Sequence, residues 1–273
     1  MHIDNLNHPA LRRIPRLAHR RERDASGLFF AEGVRFISEA LANNALIDLL
    51  VTCPRLLTSP HGRRVLRTAE SRRIPHVNVT PNIWERVSLI GDPQGIGAVI
   101  RQRWTPIANI RRGSLFIAIE QVNAAGNLGT LLRTCDAVGA AGAIFLGNTA
   151  DPHDPAVVRA TMGALFGLNL VRATHAEFSR WKRTSGFSAV GTSPHAALEY
   201  READFRRPTI LFLGCEQRGM TPEQEALCDQ IVRIPMVGRS DSLNLGVAAS
   251  ILLYEVFGQR HPIASGPRQA ARV

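Results

Sequence analysis

The sequence predicts an α/β protein in which a small N-terminal α/β domain precedes a larger domain built on a parallel sheet. Short apolar stretches alternate with amphipathic stretches along most of the chain, which is typical of α/β domains. The stretch Leu115-Phe116-Ile117-Ala118-Ile119 is apolar throughout, as expected of a strand buried on both faces of a parallel sheet. Residues 101–112 contain four arginines and a proline without a clear period, and we interpret them as a linker.

The N-terminal domain is predicted to span residues 1–100. Leu11, Ile14 and Leu17 recur at helical spacing among six arginines, which predicts a basic amphipathic helix over residues 10–24. Further helices are expected around 36–41, 61–71 and 81–88. The predicted strands are 28–30, 46–51, 76–79 and 97–101.

The C-terminal domain is predicted to span residues 113–258, followed by a flexible tail, 259–273, of small, polar and proline-containing sequence. Its predicted strands are 115–119, 143–146, 187–191, 209–213 and 231–234. Its predicted helices are 127–139, 155–165, 175–183, 221–228 and 243–257. Strands and helices that alternate in this way form a parallel sheet with helices on both faces.

The positive charge of the chain is concentrated in its first part. Residues 1–112 contain 18 arginines and 9 acidic residues, a net charge of +9 out of the total of +10. Residues 113–273 contain 15 basic and 14 acidic residues, a net charge of +1. This asymmetry predicts that the first part binds a polyanion, and nucleic acid fits best because arginine pairs with phosphate at two points.

The composition argues against membrane and metal-binding classes. No run of about 18 apolar residues is present, so no membrane span is expected, and the first residues lack the apolar core of a signal peptide. Cys53, Cys135, Cys215 and Cys228 form no CxxC pair and have no metal-ligand spacing. We therefore expect a cytoplasmic protein with reduced thiols and no bound metal.

Three polar clusters follow predicted strands, at the edge where open α/β sheets bind ligands. They are residues 123–129 with Arg133 in the helix beyond, residues 214–219, and Ser240-Asp241-Ser242-Leu243-Asn244. The third cluster puts four capping side chains at one helix start, where a single cap suffices, and this surplus indicates a site. The glycine pattern is not GxGxxG, which disfavours a dinucleotide fold.

These residues resemble the three motifs of SpoU-type (TrmH-like) methyltransferases of the SPOUT superfamily, which include enzymes that methylate ribose 2′-hydroxyls in RNA. The motifs are Asn127 with Arg133, Gly214-x-Glu216-x-x-Gly219, and Ile234-Pro235-Met236 followed by Ser242-Leu243-Asn244. The resemblance covers residues 113–258. The first part is similar to the family's ribosomal-protein-like substrate-binding domain, through Phe30-Ala31-Glu32-Gly33-Val34-Arg35 and Gln94-Gly95-Ile96.

The resemblance implies a deep trefoil knot in the C-terminal domain, S-adenosyl-L-methionine as cofactor, and a homodimer formed through that domain. Cofactor contacts carry over to Gly214, Ile234 and Leu243, and we expect Thr192, at the end of the preceding strand, to add another. The catalytic positions carry over to Asn127, Arg133, Glu216, Ser242 and Asn244.

The implied reaction is an in-line attack of a ribose 2′-oxygen on the methyl group of the cofactor. The family proposal makes the arginine at position 133 a general base, but guanidinium groups stay protonated in proteins. We therefore expect Arg133 to bind the adjacent phosphate and to stabilise the developing alkoxide, and the proton acceptor stays open. Ser242 and Asn244 are expected to orient the target nucleotide, Asn127 to fix the acceptor, and Glu216 to hold the loops or Arg133.

The expected RNA footprint comprises Arg12, Arg13, Arg63 and Arg64. Arg159 is either a further RNA contact or an ordinary surface residue of its helix, and the sequence favours neither interpretation. The appended N-terminal domain favours ribosomal RNA as substrate, with transfer RNA as the alternative. A non-catalytic RNA-binding paralogue is a further alternative, disfavoured because all five catalytic positions are intact. A nucleotide-dependent α/β enzyme is disfavoured because no phosphate loop is present.

Overall fold

The computed structural model describes residues 2–3, 5, 8–111, 113–147, 150–215 and 218–262. Among these residues, five strands form a mixed N-terminal sheet and seven form a parallel C-terminal sheet. The predicted tail lies outside the described residues from position 263 onward. No helix in the described ranges is long and apolar enough to cross a membrane.

The N-terminal sheet has the strand order β1-β4-β3-β5-β2. Its strands are β1 (His2–Ile3), β2 (Leu28–Glu32), β3 (Ile47–Thr52), β4 (His76–Val79) and β5 (Ile96–Arg101). Strands β1, β4 and β3 run parallel, and β5 is antiparallel to both β3 and β2. The helices are α1 (Pro9–Arg12), α2 (Arg20–Ser26), α3 (Val34–Ala42), α4 (Pro60–Ser71) and α5 (Pro81–Val87). The four predicted strands are confirmed within two residues at each end.

The single helix predicted over residues 10–24 is wrong. Helix α1 ends at Arg12, and a 3-10 turn, Pro15–Ala18, follows it. His19 is extended, with φ −94° and ψ 130°, so that α2 begins only at Arg20. Pro15 is the cause, because proline lacks the N–H needed inside a helix and clashes with the preceding turn.

The C-terminal sheet has the strand order β10-β12-β9-β11-β6-β7-β8, and every neighbouring pair is parallel. Its strands are β6 (Leu115–Ile119), β7 (Gly142–Leu146), β8 (Asn169–Ala173), β9 (Ser188–Thr192), β10 (Leu198–Glu199), β11 (Thr209–Leu213) and β12 (Gln230–Arg233). Its helices are α6 (Ala125–Ala137), α7 (Pro155–Ala160), α8 (His175–Ser185), α9 (Pro222–Glu225) and α10 (Leu245–Arg260). The predicted parallel sheet is therefore confirmed, although its strands β8 and β10 were not predicted.

Two helix ends differ from the prediction. Helix α7 stops at Ala160 instead of residue 165, because Met162 and Gly163 have φ values of 53° and 98°, which no helix contains. Helix α10 continues to Arg260, so the first two residues of the predicted tail are helical.

Helices cover both faces of the parallel sheet, and alternate residues of β6 show how the two cores divide. Ile117 packs in a core that includes Leu131 of α6 and Leu252 of α10. Its neighbour Phe116 points to the opposite face, in a core that includes Phe178 of α8. The first core continues into the N-terminal domain and includes residues of β2, α3 and β5, so both domains share it.

A buried ion pair and an aromatic cluster also join the domains. The Arg23 side chain is 2 % exposed and lies 2.7 Å from Asp151 and 3.3 Å from Asp154. His153 packs between Phe29 and Trp104, with ring centroids 4.8 and 5.2 Å apart. Trp104 belongs to the predicted linker and contacts the C-terminal domain. Gln102 of the same segment donates to the carbonyls of Arg23 and Leu28 in the N-terminal domain, so the segment contacts both domains.

Candidate active site

The loops that follow β9, β11 and β12 surround a cavity of about 540 Å³ at the carboxyl edge of the parallel sheet. These three strands are neighbours, so their ends converge at one place. All four residues predicted to contact the cofactor line this cavity: Thr192, Gly214, Ile234 and Leu243. Sequence reasoning therefore selected residues from three separate loops that the fold brings together.

The loop after β11 is shaped by a close approach of its two ends. The backbone N–H of Cys215 donates to the carbonyl of Gly219, and the N–H of Gly219 donates back to Cys215, both at 2.9 Å. A Cβ on Gly214 would lie 2.5 Å from the carbonyl carbon of Gly219, so no larger residue fits there without a backbone shift. At Gly214 the loop therefore has only main-chain atoms to present to the cavity.

The cavity has the chemical character that an adenosine-type sulfonium compound requires. Apolar side chains form part of its lining, including Met220, Val232 and Leu245. The carboxylates of Glu225 and Asp241 also line it, together with Arg218, so acidic groups that can attract a cationic ligand lie beside one guanidinium group. These features fit S-adenosyl-L-methionine, which combines a flat aromatic base with a positively charged sulfur.

One hydrogen bond joins the N-termini of α6 and α10 beside this cavity. Asn244 accepts bonds at its Oδ1 from the N–H groups of Gly246 and Val247, at 2.9 and 3.4 Å, and so caps α10. Its Nδ2 donates to Oδ1 of Asn127, at 3.0 Å, in the first turn of α6. Two predicted catalytic residues, 117 positions apart in the chain, are thus in direct contact.

The other polar groups at the start of α10 are not caps. Ser242 lines the cofactor cavity, is exposed, and makes no side-chain hydrogen bond with any residue the structure describes. Asp241 is likewise exposed and lines the cavity. The surplus of capping residues seen in the sequence therefore separates into one cap, Asn244, and side chains that are available to ligands.

Of the predicted catalytic residues that the structure describes, Ser242 alone lines this cavity, and Asn127 and Asn244 lie beside it. Glu216 lies outside the described residues. Arg133 is six residues beyond Asn127, about 9 Å along the axis of α6. It is exposed and lines a second cleft, of about 400 Å³, together with Arg35 and Glu39 of α3. A single chain therefore does not bring Arg133 into its own cofactor cavity.

The arginines of the expected RNA footprint differ in their surroundings. Arg12, Arg63, Arg64 and Arg159 are exposed. Arg13 is half-buried and lies 3.7 Å from the carboxylate of Asp48, so its charge is partly neutralised within the protein. The footprint stays a prediction for the four exposed residues and is weakened for Arg13.

The N-terminal motif residues have structural roles, with one exception. Glu32 accepts hydrogen bonds from the Trp84 ring N–H at 3.2 Å, the Ser88 hydroxyl at 2.7 Å and the Leu89 N–H at 2.9 Å. Burial raises the pKa of Glu32, although these bonds partly oppose the shift. Gln94 similarly accepts from the N–H of Val34 at 2.8 Å.

The exception is Arg35, which is the exposed end of the Phe30-Ala31-Glu32-Gly33-Val34-Arg35 motif. The sequence pattern alone assigned it no role. It also missed Ser193, His195 and Met236 as cavity residues. Only their position in the sequence could have indicated that they line the cavity, because each follows the end of β9 or β12 within a few residues.

The chain matches two family models. Residues 114–254 match the SpoU rRNA methylase family, and residues 8–98 match the MRM3-like substrate-binding domain. A 23S rRNA (uridine(2479)-2′-O)-methyltransferase of Streptomyces viridochromogenes is 32 % identical over 253 residues, which cover 89 % of this chain and 87 % of the relative.

Solved structures extend the similarity to the whole fold. The AdoMet-bound rRNA methyltransferase of Sinorhizobium meliloti has a TM-score of 0.86 and 32 % identity, over 97 % of this chain and 99 % of that one. The SpoU methyltransferase AviRb of Streptomyces viridochromogenes, in complex with AdoMet, has a TM-score of 0.83 and 30 % identity, over 93 % and 98 % of the two chains. The chain therefore belongs to the SpoU rRNA methylase family.

Proposed function

We propose that this protein transfers a methyl group from S-adenosyl-L-methionine to a ribose 2′-hydroxyl of ribosomal RNA. The observation that carries the proposal is the meeting of Thr192, Gly214, Ile234 and Leu243 in one cavity, beside the bonded pair of Asn127 and Asn244. Two relatives that cover most of the chain are named as rRNA methyltransferases, and two of the similar solved structures contain AdoMet. Such a substrate implies that the protein works in the cytoplasm.

When bound, S-adenosyl-L-methionine supplies an electrophilic methyl group on a sulfonium sulfur. The backbone at Gly214, Ile234 and Leu243 would hold the cofactor by main-chain hydrogen bonds, and Thr192 would complete the wall. Met220 and Leu245 would exclude water from its apolar part. The cavity thereby fixes one reactant in a defined orientation. Correct positioning of both reactants can lower an activation barrier by about 7–11 kcal/mol, and the cavity supplies part of this.

The polar groups at the helix starts would hold the acceptor nucleotide. The Asn127–Asn244 bond fixes both amides, and the unbonded hydroxyl of Ser242 can accept or donate to the ribose. Arg133 would bind the phosphate next to the acceptor and stabilise the alkoxide that forms as the 2′-oxygen attacks. Glu216 keeps its proposed role of holding the loops or Arg133.

The C-terminal domain is proposed to contain a trefoil knot. Strand β12 lies between β9 and β10, and the chain then returns to pack α10 against α6, where Thr134 and Ser250 are 3.1 Å apart. This path, which carries the chain back past the loop after β11, supports a knotted topology, although knots are rare in proteins generally.

A homodimer is proposed through the outer face of α10. One side of this helix is buried in the core, but Val247, Tyr254 and Phe257 on the other side are 49 %, 55 % and 38 % exposed. A helix that is apolar all round is normally covered on both sides. A second copy of this chain is the proposed cover, and it would let Arg133 of one chain act at the cofactor cavity of its partner.

The dimer is tested by sedimentation of a Tyr254→Asp variant. We expect this variant to sediment as a monomer, because the new charge would be desolvated at the interface. Arg183→Asp on α8, across the sheet, should leave the dimer intact. A wild-type chain that is monomeric at micromolar concentration would rule the dimer out.

The activity is tested by incubating the protein with S-adenosyl-L-methionine and an in vitro transcript of 23S ribosomal RNA, and then mapping 2′-O-methylated nucleotides. We expect one or a few sites, which disappear with Arg133→Ala. Modification of a transfer RNA transcript instead would support the alternative substrate. If calorimetry showed no binding of S-adenosyl-L-methionine and neither RNA were methylated, the non-catalytic paralogue would be supported.

A further inference from the structure

The cleft that contains Arg133 lies between the two domains and has a volume of about 400 Å³. Helix α3 of the N-terminal domain contributes Arg35 and Glu39, and α6 of the C-terminal domain contributes Arg133 and Asp136. The turn after α7, which includes Gly163, lines it as well. This cleft is separate from the cofactor cavity, because the two share no lining residue.

The two guanidinium groups of the cleft are unpaired. Neither Arg35 nor Arg133 makes an ion pair or side-chain hydrogen bond within the part of the chain that the structure describes, although two carboxylates line the same cleft. Elsewhere in the molecule, arginines near carboxylates do pair, as Arg101 does with Asp48 at 2.7 Å. The arginines of the cleft are therefore available to an anionic ligand.

The start of α3 holds Arg35 in a defined place. Gly33 has a φ of 114°, which turns the chain sharply from β2 into the helix. The side-chain oxygen of Gln94, in the loop before the neighbouring strand β5, accepts a hydrogen bond from the N–H of Val34 and fixes the first turn of α3. Arg35 is the next residue, so its backbone is anchored while its side chain is exposed.

The cleft is rigid because the domains cannot separate easily beside it. A Cβ on Gly163 would lie 2.6 Å from Cγ of Glu39, so α3 and the turn after α7 are in direct contact. The buried Arg23–Asp151 pair and the shared apolar core hold the same domain junction. The backbones of the two arginines, one from each domain, are therefore held in a fixed spatial relation.

We propose that this cleft binds the phosphodiester backbone of the substrate RNA, with Arg35 and Arg133 as the contacting residues. Guanidinium groups suit phosphate because they donate two parallel hydrogen bonds to it. Glu39 and Asp136 repel phosphate and accept hydrogen bonds, so they suit the ribose hydroxyls that alternate with phosphate along the strand. The inference rests on the proposed function and adds to it: the N-terminal domain takes part in holding the acceptor strand.

The experiment measures the dissociation constant of the full-length protein for an in vitro transcript of 23S ribosomal RNA over a series of salt concentrations. Arg35→Ala should weaken binding roughly tenfold and lower the slope of log Kd against log salt by about 1, the loss expected for one phosphate contact. Arg35→Lys should recover most of the slope but less of the affinity, because a lysine cannot bind at two points.

The matched control is Arg183→Ala on α8. Arg183 is exposed and has no partner among the residues that the structure describes, so this variant removes one surface charge of the same kind. We expect its affinity and its salt slope to stay at wild-type values. Neither variant removes an internal contact, so thermal unfolding should be unchanged for both.

The proposal is overturned if Arg35→Ala and Arg183→Ala give the same dissociation constant and slope. It is overturned as well if the wild-type protein does not bind the transcript. A wild-type protein that binds but transfers no methyl group would defeat the proposed function alone, because the affinity comparison would still decide whether the cleft holds RNA.

Discussion

Replacing Arg23 by Met should destabilise the protein strongly, because this arginine is enclosed at the domain junction. Its guanidinium donates to Oδ2 of Asp151 at 2.7 and 3.2 Å and to Asp154 at 3.3 Å. It also donates to the carbonyls of Leu17 and Ala18 at 2.8 and 2.7 Å. Methionine fills similar space without a donor, so the variant leaves a buried carboxylate and two carbonyls without these partners.

The magnitude follows from the burial of the pair. The side chains of Arg23 and Asp151 are 2 % and 10 % exposed. Removing one partner of a buried ion pair costs about 3–5 kcal/mol of the free energy of unfolding. In a chain of this size each kcal/mol lowers the melting temperature by about 2–4 °C, so we expect a decrease of roughly 6–20 °C.

The pH dependence provides a second signature. Burial alone would raise the pKa of Asp151, but the hydrogen bonds and charge of Arg23 outweigh it, and the pKa is lowered. A lowered carboxyl pKa stabilises the fold above the unfolded-state value, and this contribution is lost as pH falls through the folded value. In Arg23→Met the hydrogen bonds and charge of Arg23 no longer oppose burial, so the pKa of the Asp151 carboxyl should rise and the deficit of the variant against wild type should shrink at acid pH.

The assay is denaturant unfolding of both proteins at pH 7 and pH 4. Arg16→Met is the control, because Arg16 pairs with Glu22 at 2.9 Å but is 60 % exposed. Surface pairs of this kind contribute about 0–1 kcal/mol. A loss below about 1 kcal/mol for Arg23→Met, or the same loss at both pH values, would contradict the reasoning.

Three further substitutions test the site and the junction. Gly214→Ala should lower cofactor affinity at least tenfold in calorimetry, because its Cβ would lie 2.5 Å from the Gly219 backbone. Asn244→Asp should keep the cap of α10, and stability within about 1 kcal/mol, but slow methyl transfer roughly tenfold by losing the donor to Asn127. Burial lowers the pKa of His153 to about 3, so the free energy of unfolding should fall by about 1.4 kcal/mol per pH unit below about 6.5, and His153→Leu should abolish this slope.

Each of these three predictions would be contradicted by a specific result. Gly91→Ala, at an exposed glycine with open space around it, is the control for Gly214→Ala, and equal cofactor affinities would show that the loop tolerates a side chain. Wild-type turnover in Asn244→Asp would remove the contact with Asn127 from the mechanism. An unchanged pH slope in His153→Leu would mean that groups other than His153 bind protons on unfolding between pH 4 and 6.5.

Local sequence patterns predicted most of the fold and the edge on which the site lies. The continuous apolar run of β6 identified the parallel sheet, and the polar groups after β11 and β12 identified its ligand-binding edge. The apolar spacing over residues 10–24 predicted a single helix, but Pro15 breaks it. Strand β8 was missed because Arg172 interrupts its apolar residues, and the structure shows this arginine stacked on Trp104 at 4.2 Å.

Long-range contacts were beyond what the sequence alone could predict. The Asn127–Asn244 bond joins residues 117 positions apart, and it depends on how α10 returns to α6. The position of Arg133 in the interdomain cleft depends on how two domains pack, which no periodicity encodes. Arg35 illustrates the same limit. Only the structure shows that Glu32 and Val34 of its motif make hydrogen bonds within the protein, whereas Arg35 is exposed.

The shared apolar core has a consequence for attempts to exchange the two halves of such enzymes. Phe29 of the first half packs on Phe166 of the second, with ring centroids 6.2 Å apart, and both are buried. A chimera joined within residues 101–112 would therefore expose this aromatic surface unless the region around α7 were transplanted with the N-terminal half.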